Sequence, residues 1–498
     1  MAKKMHGRLG LPAMALLAAS ALLLGGCTAA STGSATSDVQ TGPAFVVGTD
    51  APLASVTSFS AQTSVALNTG TSYDSSTSVS VTNTTTPPTV DFARYNGLQG
   101  LLDMNDVPQG TYNSVTITLA SPALEYLDVT TSTTTPPTIT APPTLQPLTV
   151  DLSSSTVTIQ LDKPLSITSS TGAPAGVRLD FDLQSSIPTD SNGNITTNTD
   201  GSVTVTPTFH VNTITNTDAR GHIDELIAGV VTPPTGTTEP SSFAVQGPHG
   251  EQFTIDTSSN TNWDGDASLS ALTTSSIVLV AGKLDAADQT LDADEIVILS
   301  QDGFYAGGLV TYVTPSTGAA TSFDMYVRGV LPASTGVQLG DLATVNLSGS
   351  EKYNIHWMRN PFTQFLFNSS GLVEGQEVGI GGPASGAASA SAVTVNRVTL
   401  RNWGYSGTVV AGSQSSGNGS FQMQVTGFSG SVIPETITVY LGANTDFRFG
   451  CGGFGDLNNG TNVRVVGLLL KNPTTGNVIL LARHIDGFEF TDFDTASW

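Results

Sequence analysis

The side chains that could do chemistry are few and widely spaced in this sequence of 498 residues. Downstream of the N-terminal segment the histidines are His210, His222, His249, His356 and His484. No two of them have the spacing of metal ligands on one element, so a histidine site would have to be assembled by folding. We therefore predict no metal site and no cofactor, and we expect these histidines to be structural or surface residues.

Two polar loops resemble the start of a calcium-binding loop, in which oxygen ligands alternate along the chain. In NTNWDGDAS the alternating residues are Asn260, Asn262, Asp264 and Asp266, and in TDSNGNIT they are Asp190, Asn192 and Asn194. Calcium takes about six to eight oxygens, often with a bidentate carboxylate downstream, and neither loop has a glutamate at that distance. Because Asn-Gly and Asp-Gly are also common hairpin turns, hairpin turns are the favoured interpretation.

No catalytic motif occurs in the sequence. G-x-S-x-G, H-E-x-x-H, a P-loop and C-x-x-C are all missing, so we predict no catalytic residue and a protein that is not an enzyme. Paired carboxylates for glycoside hydrolysis stay open as an alternative, because the separation of such a pair is set by the fold. Four aromatic residues could stack on sugars, although core positions are favoured: Trp263, Trp357, Trp403 and Tyr405.

The segment WMRNPF is an apolar insertion between two predicted strands. Exposed apolar patches often mark interaction sites. We therefore predict a partner surface at Trp357, Arg359 and Phe362.

Cys27 is one of only two cysteines, and it ends a typical export signal. Basic residues come first, an apolar run from Leu9 to Leu24 follows, and small residues precede the cysteine. The run is shorter than the roughly 20 residues of a spanning helix. LLLGGC resembles a bacterial lipoprotein signal, which implies cleavage before Cys27 and acyl chains on that residue as the anchor in the lipid bilayer.

The residues after Cys27 imply a location. The lipoprotein sorting rule retains proteins in the inner membrane when an aspartate follows the cysteine, whereas this chain has Thr28 and Ala29. We therefore expect an exported, lipid-anchored protein, with the outer membrane favoured and either its periplasmic or its cell-surface face possible. Cys451 would then be the remaining thiol, so an intramolecular disulfide is not expected.

The charge balance excludes one class of partner. The formal charge of −23 becomes −26 once Lys3, Lys4 and Arg8 leave with the signal, because no acidic residue precedes Cys27. Nucleic-acid binding depends on Lys and Arg that neutralise phosphates, so we expect no nucleic-acid partner.

The elements that would position these residues are predicted to be strands. In SVTITL, TVTIQL and RLDFDL, apolar and polar residues alternate, which is typical of half-buried antiparallel strands. A helical turn or two is expected only around Leu98 to Val107, in NGLQGLLDMNDV. The predicted class is all-β.

Three separated motifs in the first half carry a resemblance to a known family. They are TDAPLASVTSF from Thr49, VDFARYNGLQGLLDMNDVPQGTYNSVTITL from Val90 and GVRLDFDLQSSI from Gly176. Between about Phe45 and Val211 the chain resembles the secreted family called domain of unknown function 4382. That resemblance implies a β-sandwich without an assigned activity.

The second half repeats one pattern three times, beginning at Gly229, Gly308 and Gly407. Each unit has a G-x-V strand, a strand with phenylalanine (SFAVQ, SFDMY, SFQMQ) and two later strands. Five or six strands per unit suit small closed barrels, which leave no exposed edges. The units resemble the secreted family called domain of unknown function 5666, again without an assigned activity. The middle unit carries an insertion around EKYNIHWMRNPFTQF.

These observations predict an N-terminal antiparallel β-sandwich followed by three β-barrel-like repeats. The predicted boundaries are a signal peptide at 1–26, a tether at 27–43, the sandwich at 44–217, and repeats at 218–302, 303–400 and 401–498. We expect a non-enzymatic binding or structural module of the cell envelope or surface, with a polysaccharide or an envelope protein as partner. The alternative is an extracellular polysaccharide hydrolase.

Overall fold

The structure is a computed structural model, and its strands account for most of the chain. It describes residues 40–487 except 52, 75, 96, 133–137, 169–174, 192, 216–221, 234–237, 248–251, 265, 286–289, 333–335, 357–366, 418, 428–430, 449–450 and 473–474. The only α-helix among them is the single turn α1 (Leu183–Ser186), and the described residues contain no candidate membrane-spanning helix. The predicted all-β class is confirmed.

The N-terminal region is a sandwich of two sheets around one core. Its strands are β1 (Thr41–Ala51), β2 (Ser58–Asn68), β3 (Val79–Ser80), β4 (Thr89–Asp91), β5 (Gly100–Pro108), β6 (Gly110–Asp128), β7 (Thr144–Leu148), β8 (Val150–Leu152), β9 (Thr156–Ile167), β10 (Ala175–Asp182), β11 (Val203–Val205) and β12 (Phe209–Thr215). One side has the order β12-β10-β1-β5 and is part of a ten-stranded sheet that continues into the next region, and the other is β3-β2-β6-β7 with β4 on β2 and β9 on β6. β8 and β11 form a separate parallel pair.

Phenylalanines from both sheets fill the centre of the sandwich. The ring of Phe181 lies 5.1 Å from Phe59 and 4.7 Å from both Phe92 and Phe209, measured between ring centroids. The sandwich is not purely antiparallel, since β1 pairs in parallel with β10. The chain visits the other sheet between these two strands, and only such a crossover permits parallel pairing.

The helical turns predicted around Leu98 to Val107 are absent, and β5 occupies that segment. β5 pairs antiparallel with β1, and its apolar side chains are divided between two cores. Leu102 enters the sandwich core, whereas Leu101 and Met104 pack against the core of the next region. A helix would bury one stripe, but a strand between two cores buries both of its faces, and tertiary packing therefore overrides local pattern.

The first repeat, called barrel 1, is a closed ring of five strands. Its strands are β13 (His222–Thr232), β14 (Ser241–Gln246), β15 (Gln252–Thr257), β16 (Asn262–Asp264), β17 (Ile277–Asp285) and β18 (Thr290–Ser300). The ring order is β13-β14-β15-β18-β17 and back to β13, with β15 and β18 parallel. β16 pairs in parallel with Glu295–Val297 of β18, just beyond the residues of β18 that pair with β15.

The third repeat, called barrel 3, has the same topology. Its strands are β26 (Trp403–Val409), β27 (Ser420–Val425), β28 (Thr436–Arg448), β29 (Asn462–Lys471) and β30 (Val478–Gly487), in the closed order β26-β27-β28-β30-β29. β28 and β30 are parallel, and the last residues of β28 take the place of the separate strand β16 in barrel 1. Five-stranded rings of this kind are small Greek-key barrels of the OB type.

The middle repeat, called barrel 2, closes less regularly. Its strands are β19 (Gly303–Thr314), β20 (Ser322–Leu331), β21 (Leu342–Asn346), β22 (Lys352–Ile355), β23 (Glu377–Pro383), β24 (Val393–Thr394) and β25 (Arg397–Arg401). β21 pairs in parallel with β24, and β25 pairs with β23, which gives a seven-stranded sheet of order β22-β25-β23-β19-β20-β21-β24. The predicted insertion begins with β22, which pairs in parallel with β25 as β16 does with β18.

The phenylalanine of each repeat lies in its barrel core. Phe243, Phe323 and Phe421 stand on β14, β20 and β27, and all three are buried. The cores also interlock, since leucines of β29 pack into the core of barrel 2 and Phe45 of β1 packs into that of barrel 1. Residues 40–487 therefore form one compact unit as far as they are described.

Candidate functional site

The ionisable side chains with the strongest burial lie where the sandwich and the barrels meet. One group, called the central network, consists of Glu225, Tyr305, Arg328, Glu377 and Arg401. Arg401 donates to Glu225 and, over 2.8 Å, to the Tyr305 hydroxyl, and its Nη1 lies 3.6 Å from Glu377 Oε1. Arg328 Nη1 lies 3.4 Å from Glu377 Oε2. The carboxylates and cations come from barrels 1 and 2, so their attraction joins the two barrels.

Arg328 extends the central network to the other two regions. Its Nη2 donates over 3.0 Å to the backbone oxygen of Thr57 in the sandwich, and its Cζ lies 4.3 Å from the centroid of the Trp403 ring in barrel 3. A guanidinium over an indole face is a favourable cation–π contact. One arginine therefore contacts the sandwich, barrel 2 and barrel 3.

Burial governs protonation in the central network. It raises the pKa of Glu377 to about 7, against the opposing attraction of Arg328 and Arg401. It also raises the pKa of Tyr305 to about 12, so the hydroxyl is neutral and can donate or accept a hydrogen bond. Perturbed groups of this kind often mark catalytic sites, but structural ion pairs produce the same shifts. Here each perturbed group has a partner inside the protein.

A second group, called the Arg464 network, joins barrel 3 to the sandwich through Asp50, Asp180, Arg464 and Asp486. Arg464 Nε donates to Asp486 over 2.9 Å, and its Nη1 donates to the backbone oxygen of Asp50 over 3.0 Å. Nη1 also lies 3.8 Å from Asp180 Oδ2. Burial and then the Asp180 charge raise the pKa of Asp50 well above its usual range, which favours its neutral form.

Asp224 of barrel 1 is the centre of a third contact. Its Oδ1 accepts from Arg483 of barrel 3 over 3.0 Å, and its Oδ2 accepts from the backbone N–H of Gln99 in the sandwich over 3.0 Å. Burial opposes its ionisation, yet Arg483 and His222 hold the pKa of this carboxyl well below its usual range. Three regions of the chain therefore converge on one carboxylate.

The fourth cluster, called the acidic corner, consists of Asp264, Glu295 and His356. One potential ligand atom of each residue lies within 4.8 Å of those of the other two, and all three residues are at most 5% exposed. His356 Nε2 lies 3.3 Å from Glu295 Oε1. Burial, followed by the charges of Arg483 and Arg401, holds the pKa of His356 well below its usual range. Two carboxylates and an imidazole at these distances are a set that could hold a metal ion.

The acidic corner is assembled by two parallel strand pairs in different barrels. In barrel 1, β16 pairs with β18 so that Asn262 stands opposite Glu295 and Asp264 opposite Val297. In barrel 2, His356 directly follows β22, and its backbone N–H donates to Leu400 on β25 over 2.8 Å. The ligand atoms therefore meet only after the two barrels have docked.

In the calcium-like loop of barrel 1, the described carboxylates Asp264 and Asp266 have different partners. Asp264 enters the acidic corner, whereas Asp266 forms a bidentate pair with Arg397 over 2.6 and 3.0 Å. In the other loop, Asp190 accepts from the backbone N–H and the side-chain amide of Asn194, both over 2.9 Å. Thr189 and Ile195 form a β-bridge across that loop, so it is a hairpin turn, as favoured from the sequence.

The aromatic residues proposed as a sugar platform are mostly internal. Trp403 and Tyr405 are 1% and 2% exposed in the core of barrel 3. Trp263 is half-buried and donates from its indole nitrogen to Glu239 over 2.7 Å. These three residues therefore pack as core or capping residues rather than as an exposed strip.

Several predicted residues lie outside the described part of the chain. The anchor residue Cys27 and the partner surface at Trp357, Arg359 and Phe362 both belong to this group, and their roles stay predictions. His249 is likewise outside. The remaining cysteine, Cys451, is buried with a free thiol.

The sequence did not predict the acidic corner. From the sequence, Asp264 was a candidate ligand only as part of a calcium-like loop. Glu295 was one carboxylate among many, and His356 had no metal-ligand spacing to another histidine. A signal existed in the repeats, because the Asn-Thr-Asn-Trp-Asp stretch of barrel 1 recurs as Asn-Thr-Asp-Phe-Arg in barrel 3. An alignment of these two stretches places Asp264 of barrel 1 at the position of Arg448 in barrel 3.

Comparison with known proteins supports the N-terminal assignment. Residues 45–198 match the family model described as Domain of unknown function (DUF4382). The predicted resemblance of this segment is confirmed. A search of curated proteins gave no match. Among solved structures, "drosophila Unr CSD456" matches with 9% identity over 53% of this chain and 97% of that one. The TM-score of 0.14 is too low to indicate a shared fold.

Proposed function

We propose that this chain is an exported lipoprotein, anchored through acylated Cys27, that acts as a non-enzymatic binding or structural module of the cell envelope. The central network carries the non-enzymatic part of this proposal. Its charged groups point at one another across the joints between regions, and Arg328, Glu377 and Arg401 are at most 5% exposed. Groups used in this way stabilise an arrangement of domains rather than a reaction.

The alternative, a polysaccharide hydrolase, has less support from the geometry. Such an enzyme needs two carboxylates in a cleft that is open to a sugar chain. In the described ranges, the carboxylates of the acidic corner are 5% and 2% exposed, and Glu377 of the central network is 2% exposed. A polysaccharide cannot reach groups that are this deeply buried.

The three barrels extend the proposal. We infer that they are copies of one module, similar to the family called domain of unknown function 5666, repeated to give an extended surface. The strand order that barrels 1 and 3 share and the buried phenylalanine at the same place in all three units support this inference. The proposed partner is a polysaccharide or an envelope protein that binds around Trp357, Arg359 and Phe362.

Cell fractionation tests the anchor. We expect wild-type chain in the membrane fraction and Cys27→Ser in the soluble exported fraction or retained as uncleaved precursor, because the acyl chains supply the membrane affinity. Cys451→Ser is the matched control, since it changes the other cysteine and should leave the protein in the membrane. If Cys27→Ser is membrane-bound after signal removal to the same extent as the wild type, the anchor is wrongly assigned.

Protease treatment of intact cells then tests the side of the membrane. A known periplasmic protein serves as the control for cell integrity. Digestion would place the barrels outside the cell and direct the search to extracellular polymers. Protection until lysis would place them in the periplasm and favour an envelope protein as partner.

Binding to isolated cell-envelope material tests the partner surface. We expect Trp357→Ala combined with Phe362→Ala to reduce co-sedimentation of the chain with that material. Leu339→Ala is the matched control, because Leu339 is an apolar side chain that is 67% exposed elsewhere on barrel 2. Equal binding by both variants would contradict a partner surface at this segment.

A further inference from the structure

The acidic corner has two features that ion pairing alone does not explain. It brings two carboxylates and an imidazole within 4.8 Å of one another, deep inside the protein. In addition, neither ring nitrogen of His356 makes a hydrogen bond, although the residue is 1% exposed. Buried polar groups are nearly always satisfied, so a histidine in this state indicates a missing partner.

Two hydrogen bonds hold the backbone of His356 against barrel 2, at the place where its ring lies beside Glu295. The His356 N–H donates to Leu400, and the His356 carbonyl oxygen accepts from the Asn402 amide over 3.2 Å. Both partners belong to the end of β25 or the residue that follows it. These bonds fix the position of the His356 Cα and therefore keep the side chain on the side of barrel 2 that meets Glu295.

The barrel 1 side of the acidic corner is held in the same way. The Thr261 hydroxyl donates to the backbone oxygen of Ala293 over 2.8 Å and fixes the start of β16 against β18. Beyond β16, the bidentate pair between Asp266 and Arg397 ties the loop to barrel 2. The Asn262 side-chain amide donates to Asp264 Oδ1 over 3.0 Å, which orients that carboxylate. Such outer contacts are typical of metal ligands.

We propose that Asp264, Glu295 and His356 bind one zinc ion, which links barrel 1 to barrel 2. An imidazole nitrogen with two carboxylate oxygens is a ligand set that zinc accepts, and three protein ligands leave the fourth tetrahedral position for a water. Calcium needs about six to eight oxygens, which this set does not supply. The two positive charges of zinc would offset the negative charges of Asp264 and Glu295, and a ring nitrogen of His356 would gain a bonding partner.

The proposed site has a structural consequence that is independent of what the module binds. Two ligands come from barrel 1 and one from barrel 2, so the complete site exists only when the barrels are docked. An ion that binds the folded chain alone raises its stability by mass action. Zinc would therefore hold the two barrels together.

The test measures zinc binding to the full chain after treatment with a chelator and its removal. Titration in competition with a chromophoric chelator should show one tightly bound zinc per chain. We expect Asp264→Asn and Glu295→Gln each to weaken that affinity by roughly 100-fold or more, since even outer contacts contribute about 10- to 100-fold. Both substitutions keep the side-chain shape and remove a buried charge, and circular dichroism of the metal-free variants checks their folding.

Two matched variants control for adventitious binding on barrel 1. Asp256→Asn alters a carboxylate outside the acidic corner, and His222→Gln alters a histidine that contacts Asp224 and Asp294 instead. Both should bind zinc as the wild type does. Zinc should also raise the melting temperature of the wild type and of these controls, and leave that of Asp264→Asn unchanged.

X-ray absorption at the zinc edge gives a second readout. The expected first shell contains nitrogen and oxygen near 2.0 to 2.2 Å and no sulfur. The proposal is overturned if the metal-free wild type takes up no zinc at micromolar concentrations. It is also overturned if the two corner variants bind like the wild type, or if sulfur appears in the shell, because the ion would then lie elsewhere, for example at a cysteine.

Discussion

Barrel 1 and barrel 3 each have a short segment, called the corner of the barrel, that pairs in parallel with the last strand. The side chains at corresponding positions of the two corners carry different charges. In barrel 1 the Thr261 hydroxyl donates to Ala293, and in barrel 3 the Thr445 hydroxyl donates to Ala482, both over 2.8 Å. These bonds hold the extra parallel segment against the last strand in each barrel. The scaffold of the corner is therefore repeated.

The residues just beyond the scaffold differ in charge. Strand register places Glu295 opposite Asn262 in barrel 1 and His484 opposite Asp446 in barrel 3. Two residues after each of Asn262 and Asp446 stand Asp264 and Arg448, respectively. A carboxylate pair in one barrel thus corresponds to an arginine and a histidine in the other.

This difference shows that the fold alone does not make a metal site. Barrel 3 balances its corner internally, because Asp486 accepts from Arg464 and Arg448 donates to Asp446 over 2.6 Å. Barrel 1 instead collects two carboxylates and takes a histidine from the neighbouring barrel. The same strand geometry serves as an ion-pair joint in one place and as a candidate zinc site in the other.

The largest expected effect comes from opening the joint in barrel 3. Arg464→Met should lower the free energy of unfolding by about 3–5 kcal/mol, because it leaves Asp486 buried without its cation. Urea denaturation followed by circular dichroism measures the change. The double variant Arg464→Met with Asp486→Leu should recover part of the loss. A single variant as stable as the wild type would show that barrel 3 does not depend on its internal charge balance.

The stability of barrel 3 should depend on pH through His484. Burial lowers the pKa of His484 to about 3, so between that pH and about 6.5 the unfolded chain binds a proton that the folded chain does not. The stability contributed by neutral His484 is complete above pH 6.5 and declines as the pH falls towards 3.

At about 1.4 kcal/mol per unit of pH, the loss between pH 6.5 and 4 is on the order of 3 kcal/mol. Urea denaturation at a series of pH values should show this slope in the wild type and a shallower one in His484→Gln. Because the other titrating groups are common to both chains, the difference between them reports on His484 together with its coupling to Asp486. Parallel slopes would mean that the corner of barrel 3 admits water or a proton.

The repeated scaffold predicts equal costs in the two barrels. Thr261→Val and Thr445→Val should each lower the free energy of unfolding by about 1–2 kcal/mol, because each leaves a backbone carbonyl without its hydroxyl donor. Denaturant unfolding of the two variants side by side is the measurement. Costs that differ by several-fold would show that the two corners are not built alike.

The smallest expected effect is at the exposed edge of the contact between barrels 1 and 2. Lys352 Nζ lies 2.9 Å from Asp266 Oδ2, but the lysine side chain is 63% exposed. Lys352→Met should therefore change the free energy of unfolding by less than about 1 kcal/mol. Arg397→Met, at the same carboxylate but buried, should cost more. Thermal unfolding of both variants measures which substitution lowers the melting temperature more. A larger loss for Lys352→Met than for Arg397→Met would show that the Arg397 ion pair does not hold the two barrels together.

Much of the fold was predictable because it depends on local patterns. Alternation in segments such as SVTITL predicted strands, and the buried side chains of Val115, Ile117 and Leu119 agree with it. The repeated phenylalanine strands predicted three related units. The segment from Leu98 to Val107 was wrongly predicted as helical, because burial on both sides of β5 removes the alternation by which a half-buried strand is recognised.

The all-β class and the repeat-like units were readable from the sequence, because strand alternation and a fixed period depend on neighbouring residues. The export signal ending at Cys27 stays a prediction from a local pattern of the same kind. Only the tertiary structure decided which ionisable groups meet. Glu225, Glu377 and Arg401 are distant in the chain, as are Asp264, Glu295 and His356, and strand register together with barrel docking brings them into contact. Electrostatic and coordination energies depend on distances of a few ångström, and those distances exist only in the folded protein.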